Sequence, residues 1–271
     1  MAFSVAVQIY SVRDDAAADL RGTLEKIKKM GYEGVEFAGL YGNDPAEIKK
    51  MCDEIGLVPI SAHVPYVDLV NDTEGTLAQY ATIGCEFVAV PYLTSEYRPG
   101  TDKFPEVIEN VKKIGKAAKE LGIQLVYHNH DFEFVKLDGK YALDILYDEV
   151  PAEYLSTELD TCWVNVGGEN PANYLRKFKN RAEIVHLKDF FGEKSDDMYE
   201  LIGIEKKGPT RPKNFELRPV GSGVQNFPEI LEAAKEVGCR WIVVEQDNPS
   251  MGLTPLESIE KSKKYLESIG Y

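Results

Sequence analysis

GYEGVEFAGLYGNDPAEIKKMCDEIGLVPISAH, residues 31–63, contains one complete structural period of this chain. A short extended run, GVEF (34–37), ends in a glycine-containing turn. Asp44 and Pro45 then supply the cap and first-turn residue of a helix, DPAEIKKMCDEIG. Gly56 stands where that helix stops, and VPISAH (58–63) opens the next extended run. Strand, helix and parallel strand in this order form a βαβ unit.

The period recurs along the chain. SVAVQIY (4–10) precedes a helical stretch at about 17–30, where Leu20, Leu24 and Ile27 fall at helical spacing before Gly31. VPISAH precedes a helix around 73–83. EFVAVPY (86–92) precedes one from Phe104 to Leu121, and IQLVYHNH (123–130) precedes one near 141–148. YLSTELD (154–160) leads into PANYLRKF, EIVHLKD (183–189) into NFPEILEAAKEVG, and WIVVEQD (241–247) into PLESIEKSKKYLESIG. Eight strand–helix pairs without a break in composition, and with no GxGxxG loop after the first strand, predict an α/β chain. The expected fold is a (β/α)8 TIM barrel, a single domain over 1–271, rather than an open doubly wound sheet. One connection breaks the rhythm. Residues 190–225 form a long, polar, Pro/Gly-punctuated loop after the seventh strand, on the barrel's active face.

Composition narrows the class. With 44% hydrophobic residues the chain is ordinary globular material, and its net charge of −14 opposes a phosphate backbone, so no nucleic acid is expected as a partner. No stretch approaches the ~20 apolar residues of a membrane span, and the N-terminus lacks a signal peptide's basic region. The four cysteines lie tens of residues apart with no CxxC pair, which argues for reduced thiols and a cytoplasmic location.

The rare residues fall where barrel chemistry sits. All four histidines (His63, His128, His130 and His186) lie at or beyond the C-terminal ends of predicted strands, the rim that carries TIM-barrel active sites. Glu36, Glu158, Asp160 and Glu245 join them. Alternation along a strand puts Glu158 and Asp160 on one face, as it does His186 and Lys188, and His128 and His130. Buried acids of this kind need a cation or hydrogen-bond donors. Asp160, His186 and Glu245, from three neighbouring strands, form a mixed oxygen and nitrogen set suited to one divalent metal ion: Mn²⁺, Mg²⁺, Co²⁺ or Zn²⁺. His128 is the natural fourth ligand, with His130 or Glu133 as substitutes.

At these residues the chain resembles the sugar phosphate isomerase/epimerase family, the xylose-isomerase-like TIM barrels. The resemblance covers essentially the whole chain, through QIYSVR (8–13), GYEGVEF (31–37), YHNHDFEF (127–134), ELDTCWV (158–164), VHLKDF (185–190) and VVEQD (243–247). It implies a metal shell of Glu, Asp, His and Glu from strands five to eight. Asp160, His186 and Glu245 match the last three, whereas His128 stands where many members carry glutamate. In the family's epimerases the two glutamates also form the acid/base pair.

The resemblance implies a metal-dependent sugar isomerase/epimerase working through an enediolate, with Glu245 or His128 removing the α-proton. Glu36, His63, His130, Glu158, Lys188 and Arg218 are the expected substrate contacts, and the partner is a small carbohydrate. A homo-oligomer is possible. Gly221-Ser222-Gly223 lies near the phosphate region of such barrels but reads equally as an ordinary turn. Two rivals stand beside this reading: a lyase performing β-elimination on a 3-keto-glycoside, and a non-catalytic sugar-binding or partner subunit. The superfamily's apurinic endonucleases, with a histidine-rich three-zinc cluster and a basic DNA face, fit neither four histidines nor the charge.

Overall fold

The computed structural model describes residues 3–194 and 214–271. Eight parallel strands close into a barrel: β1 (Ser4–Gln8), β2 (Gly34–Ala38), β3 (Val58–His63), β4 (Phe87–Val90), β5 (Gln124–His128), β6 (Ser156–Asp160), β7 (Ile184–Leu187) and β8 (Trp241–Val244). Each pairs with its sequence neighbours, and β8 closes on β1 through pairs from Ser4↔Trp241 to Val7↔Val244. The ring is wrapped by α1 (Leu20–Lys29), α2 (Pro45–Ile55), α3 (Thr73–Ile83), α4 (Phe104–Glu120), α5 (Ala142–Glu149), α6 (Pro171–Arg176), α7 (Phe227–Val237) and α8 (Pro255–Ser268).

Local chemistry explains the boundaries. α2 begins on Asp44, whose side chain accepts from the Ala46 amide, and stops at Gly56 in the left-handed conformation. α8 carries a complete capping box between Thr254 and Glu257. The first helical stretch is not continuous as expected. It splits into Arg13–Ala18 and α1, because Asp19 turns extended and caps α1 through the Gly22 amide. A further short helix, Thr161–Val166, follows β6 and was not anticipated.

The barrel interior changes character along its length. Its lower part is filled by Ala6, Ile60, Phe87, Ala89, Val126, Ile184 and Val243. Two residues further along the same strand faces stand Gln8, His128, His186 and Glu245. An apolar plug thus supports a polar floor at the C-terminal mouth. Register levels that floor: His128 pairs with Glu158, Asp160 with His186, and Gln8 with Glu36.

The connection expected at 190–225 is described at its two ends; residues 195–213 lie outside the described residues. Its ends form an antiparallel pair, Asp189–Phe191 with Glu216–Arg218. The amides of Gly221 and Gly223 donate to Asp189 Oδ2, at 3.0 and 2.7 Å, and the Gln225 amide donates to Oδ1 at 3.1 Å. The Gly-Ser-Gly turn therefore presents its amides to the chain's own carboxylate. Among the described residues no helix is long and apolar enough to cross a membrane. All four cysteines are free thiols.

Candidate metal centre

The strand ends bring four predicted ligands together. One donor atom each from His128, Asp160, His186 and Glu245 can be chosen so that all lie within 4.8 Å of one another, and all four residues are buried. His186 Nδ1 lies 2.9 Å from Glu245 Oε2, while His128 Nε2 lies 3.7 Å from Asp160 Oδ2 and 3.8 Å from Glu245 Oε2. Asp160 Oδ1 is committed to capping the following helix through the Trp163 amide, which leaves Oδ2 facing the cluster.

Charge and tautomer both fit a cation here. Lys188 Nζ sits 3.1 Å from Asp160 Oδ2, 3.0 Å from Glu245 Oε2 and 3.2 Å from Asp247 Oδ1. One ammonium among three buried carboxylates leaves negative charge that the His186 ring balances in part and a bound cation would balance further. Each histidine ligand is also backed from below by a carboxylate. Glu158 Oε1 is 3.2 Å from His128 Nδ1, and Glu36 Oε1 is 2.7 Å from His186 Nε2. A carboxylate on the far ring nitrogen holds the proton there and turns the near nitrogen's lone pair toward a metal. With imidazole and carboxylate donors and no thiolate, the set suits a divalent ion of the kind expected from the sequence.

The environment tunes these groups in opposite directions. Burial depresses His128 well below the usual imidazole value, helped by the positive charges of His186 and His63, so its ring is neutral. Burial would raise Glu245, but the Lys188 ammonium, and then His186, hold it well below the usual carboxylate range. Burial opposes the charge on Lys188, yet Asp160, Asp247 and Glu245 keep it firmly protonated. Beneath them, burial and the adjacent Glu36 raise Glu158 to about 7.

The predicted substrate contacts divide into two groups. His63, His130 and Lys188 line a cavity of about 540 Å³ above the cluster, together with His128 and Glu245. Glu36 and Glu158 do not line it. Both are fully buried and face histidines, so their place is behind the ligands rather than against substrate. Arg218 is not among the lining residues either: it pairs with Glu216 in the hairpin and covers the Phe191 ring. Glu133, named as a substitute ligand, accepts from the Tyr127 hydroxyl and the His130 amide and lies outside the cluster. His130 is outside it too, with its ring stacked on Phe132. Asp247, which lies beyond the end of β8 with its carboxylate 3.2 Å from Lys188 Nζ, was missed. Gln8, which donates to Glu36 at 2.7 Å, was also missed.

A closed parallel barrel with a mixed imidazole and carboxylate cluster at its C-terminal mouth has the architecture on which TIM-barrel active sites are built. The chain belongs to the xylose isomerase-like TIM barrel family, whose family model matches residues 24–269. An inosose dehydratase of Lacticaseibacillus casei is 24% identical over 281 residues, covering 90% of this chain and 88% of that protein. Another, from Clostridium perfringens, is 25% identical over 274 residues, with coverage of 90% and 88%. Among solved structures, a sugar phosphate isomerase/epimerase from Parabacteroides distasonis superposes with a TM-score of 0.78 at 24% identity, covering 100% of this chain and 96% of that one. The IolI protein with a bound zinc atom gives 0.75 at 16% identity, covering 98% of each chain. At these identities the structural matches establish the fold.

Proposed function

We propose that this protein is a metal-dependent carbon–oxygen lyase that removes the proton beside a keto-polyol carbonyl and expels the oxygen substituent one carbon further on. The observation carrying this reading is the unequal pair on the cavity floor: a carboxylate kept ionised, Glu245, beside a neutral imidazole, His128. Epimerisation by proton exchange at two faces calls for two matched carboxylates. Elimination needs one base and a place for the departing oxygen. Relatives matching nine-tenths of the chain are inosose dehydratases, which favours elimination over the isomerisation that the sequence placed first.

A divalent cation held by His128, Asp160, His186 and Glu245 would supply Lewis-acid stabilisation of negative charge on the substrate's carbonyl oxygen. Glu245 takes the α-proton. The electron pair of that C–H bond becomes the carbon–carbon double bond as the β C–O bond breaks with its pair on oxygen. Glu245 returns the proton to this oxygen, which leaves as water or an alcohol, so the base is restored without any redox partner. Lys188, a fixed ammonium on the cavity wall, hydrogen-bonds the oxygen while it carries charge. His128 acts as ligand, since Glu158 holds its Nδ1 and its Nε2 faces the acids.

The test is to incubate the Mn²⁺-loaded protein in deuterated water with keto-cyclitols and 3-keto-glycosides, following conjugated enone by absorbance. Enone formation that falls by about 10²–10⁴-fold in Glu245→Gln supports the assignment. Deuterium uptake into recovered ketose with no enone returns the isomerase/epimerase reading. Absence of both together with metal-free protein would point to a non-catalytic subunit.

A further inference from the structure

The cavity is larger than a keto-polyol ring and unevenly lined. A six-membered keto-polyol has about a dozen heavy atoms; even at the ~30 Å³ that a water occupies in the liquid, each counted in full, it would leave about a third of the cavity unfilled. The lining splits across the barrel mouth. His128, His130, Lys188, Glu245 and Asp247 come from the ends of β5, β7 and β8, whereas Ala38, Pro65, Tyr66, Val67, Pro91 and Tyr92 follow β2, β3 and β4, with His63 and Thr94 as polar members of that side. In the closed ring β3 lies across from β7, while β4 adjoins β5.

The apolar side is preformed. Tyr66 is held by Asn110, whose side-chain amide donates to its hydroxyl at 2.9 Å, and its ring meets Tyr97 edge-on at 5.1 Å. Tyr92 packs edge-on against His130 at 5.4 Å, joining the apolar wall to the polar floor. Val67 is 40% exposed at the mouth, an apolar side chain that core packing does not account for. Among the described residues lining the cavity, Lys188 is the one lysine or arginine, and it is held by three carboxylates; His63, at the end of β3, is held by Glu36 and Glu158. Asp68 lies on the apolar side. The cations nearest that wall are already engaged, His63 by Glu36 and Glu158 and Arg98 by the Tyr92 hydroxyl and ring, so the wall offers a flat apolar substituent extensive contact.

We infer that the substrate has two parts: a keto-polyol ring over the cation site, and an apolar, ring-sized substituent joined through oxygen and seated against Tyr66, Val67 and Tyr92. The inference rests on the elimination reading and deepens it, because the substituent is then the leaving group. Glu245 takes the α-proton, the β C–O bond breaks with its electrons on oxygen, and that oxygen takes the proton and departs as an apolar alcohol. The carbonyl is present beforehand, so an alcohol oxidation must supply this substrate.

The experiment compares 4-nitrophenyl and methyl 3-keto-glucosides as substrates of the Mn²⁺-loaded protein. Binding of the corresponding unoxidised glucosides is measured by calorimetry. The aryl compound should exceed the methyl compound by about tenfold to a hundredfold in both kcat/KM and affinity, the range expected for burying a ring-sized apolar group. Val67→Asp, at a partly exposed position compatible with folding and checked by melting, should lower the aryl-to-methyl ratio at least fivefold. Should neither compound turn over while the aryl binding preference persists and Val67→Asp removes it, elimination fails and the apolar subsite stands. Equal binding of aryl and methyl compounds overturns the inference, as does stronger binding of a disaccharide than of the aryl glucoside.

Discussion

Lys188 Nζ lies 3.0 Å from Glu245 Oε2, so an ammonium at the end of β7 rests on the carboxylate that follows β8. With Asp160 and Asp247 on the same ammonium, Lys188 is the sole lysine or arginine countercharge paired with three buried acids among the described residues. Removing one partner of a buried ion pair costs about 3–5 kcal/mol. Lys188→Met should therefore destabilise the metal-free protein by about that much, and a divalent cation should restore much of the loss by taking over the countercharge. Thermal melting in chelator and in Mn²⁺ checks this. An equal loss in both conditions would mean that Lys188 and the cation do not share the same acids.

Glu158 and Glu36 should matter for metal affinity although neither reaches the cavity. Replacing the carboxylate behind a metal-ligating histidine weakens metal binding by about 10–100-fold. Glu158→Gln and Glu36→Gln are expected to do so with little change in the substrate's KM at saturating metal. His128→Ala should weaken binding at least as much as Glu158→Gln. Isothermal titration with Mn²⁺ or Co²⁺ provides the measurement. Wild-type affinity in Glu158→Gln would remove the argument that Glu158 sets the His128 tautomer.

The barrel was legible because its signal is periodic. Glycine stops and capping residues such as Asp44 and Gly56 act locally, and each repeats the same strand–helix unit. The cluster was legible for a related reason: strand alternation assigns His186 and Glu245 to faces, and the fold assigns strand ends to one rim. Depth was not legible. Alternation puts Glu158 one layer beneath Asp160, but which carboxylate reaches the cavity depends on register between strands, such as His128 opposite Glu158, and that is a long-range property. The pairing of Arg218 with Glu216 was not legible, because the hairpin linking Asp189–Phe191 to Glu216–Arg218 joins segments separated by a long connection. The break at Asp19 was hidden by apolar spacing that continues across it.

Gly223 is fixed by space. A Cβ there would strike the Phe190 carbonyl oxygen and the Asp189 carboxylate, which the Gly221, Gly223 and Gln225 amides surround. Gly223→Ala should cost about 1–3 kcal/mol, the usual penalty for overpacking a site that cannot yield. It should also lower activity, because Asp189 adjoins Lys188. Urea denaturation tests the stability term; a change below about 0.5 kcal/mol would show that the cradle gives way readily.

Glu133 predicts a pH dependence of stability that is separate from the metal cluster. Burial raises its carboxyl to about 8, against the opposing effect of hydrogen bonds from the Tyr127 hydroxyl and the His130 amide. The folded value lies above the ordinary 4.5 of the unfolded chain, so folding favours the protonated form. That contribution is fully present below about pH 4.5 and is lost as pH rises through about 8, a difference on the order of a few kcal/mol. Glu133→Gln keeps the shape and cannot ionise. Its melting temperature relative to wild type should therefore rise steadily from pH 5 to pH 9. A constant offset between the two proteins over that range would show that Glu133 is already ionised in the folded chain.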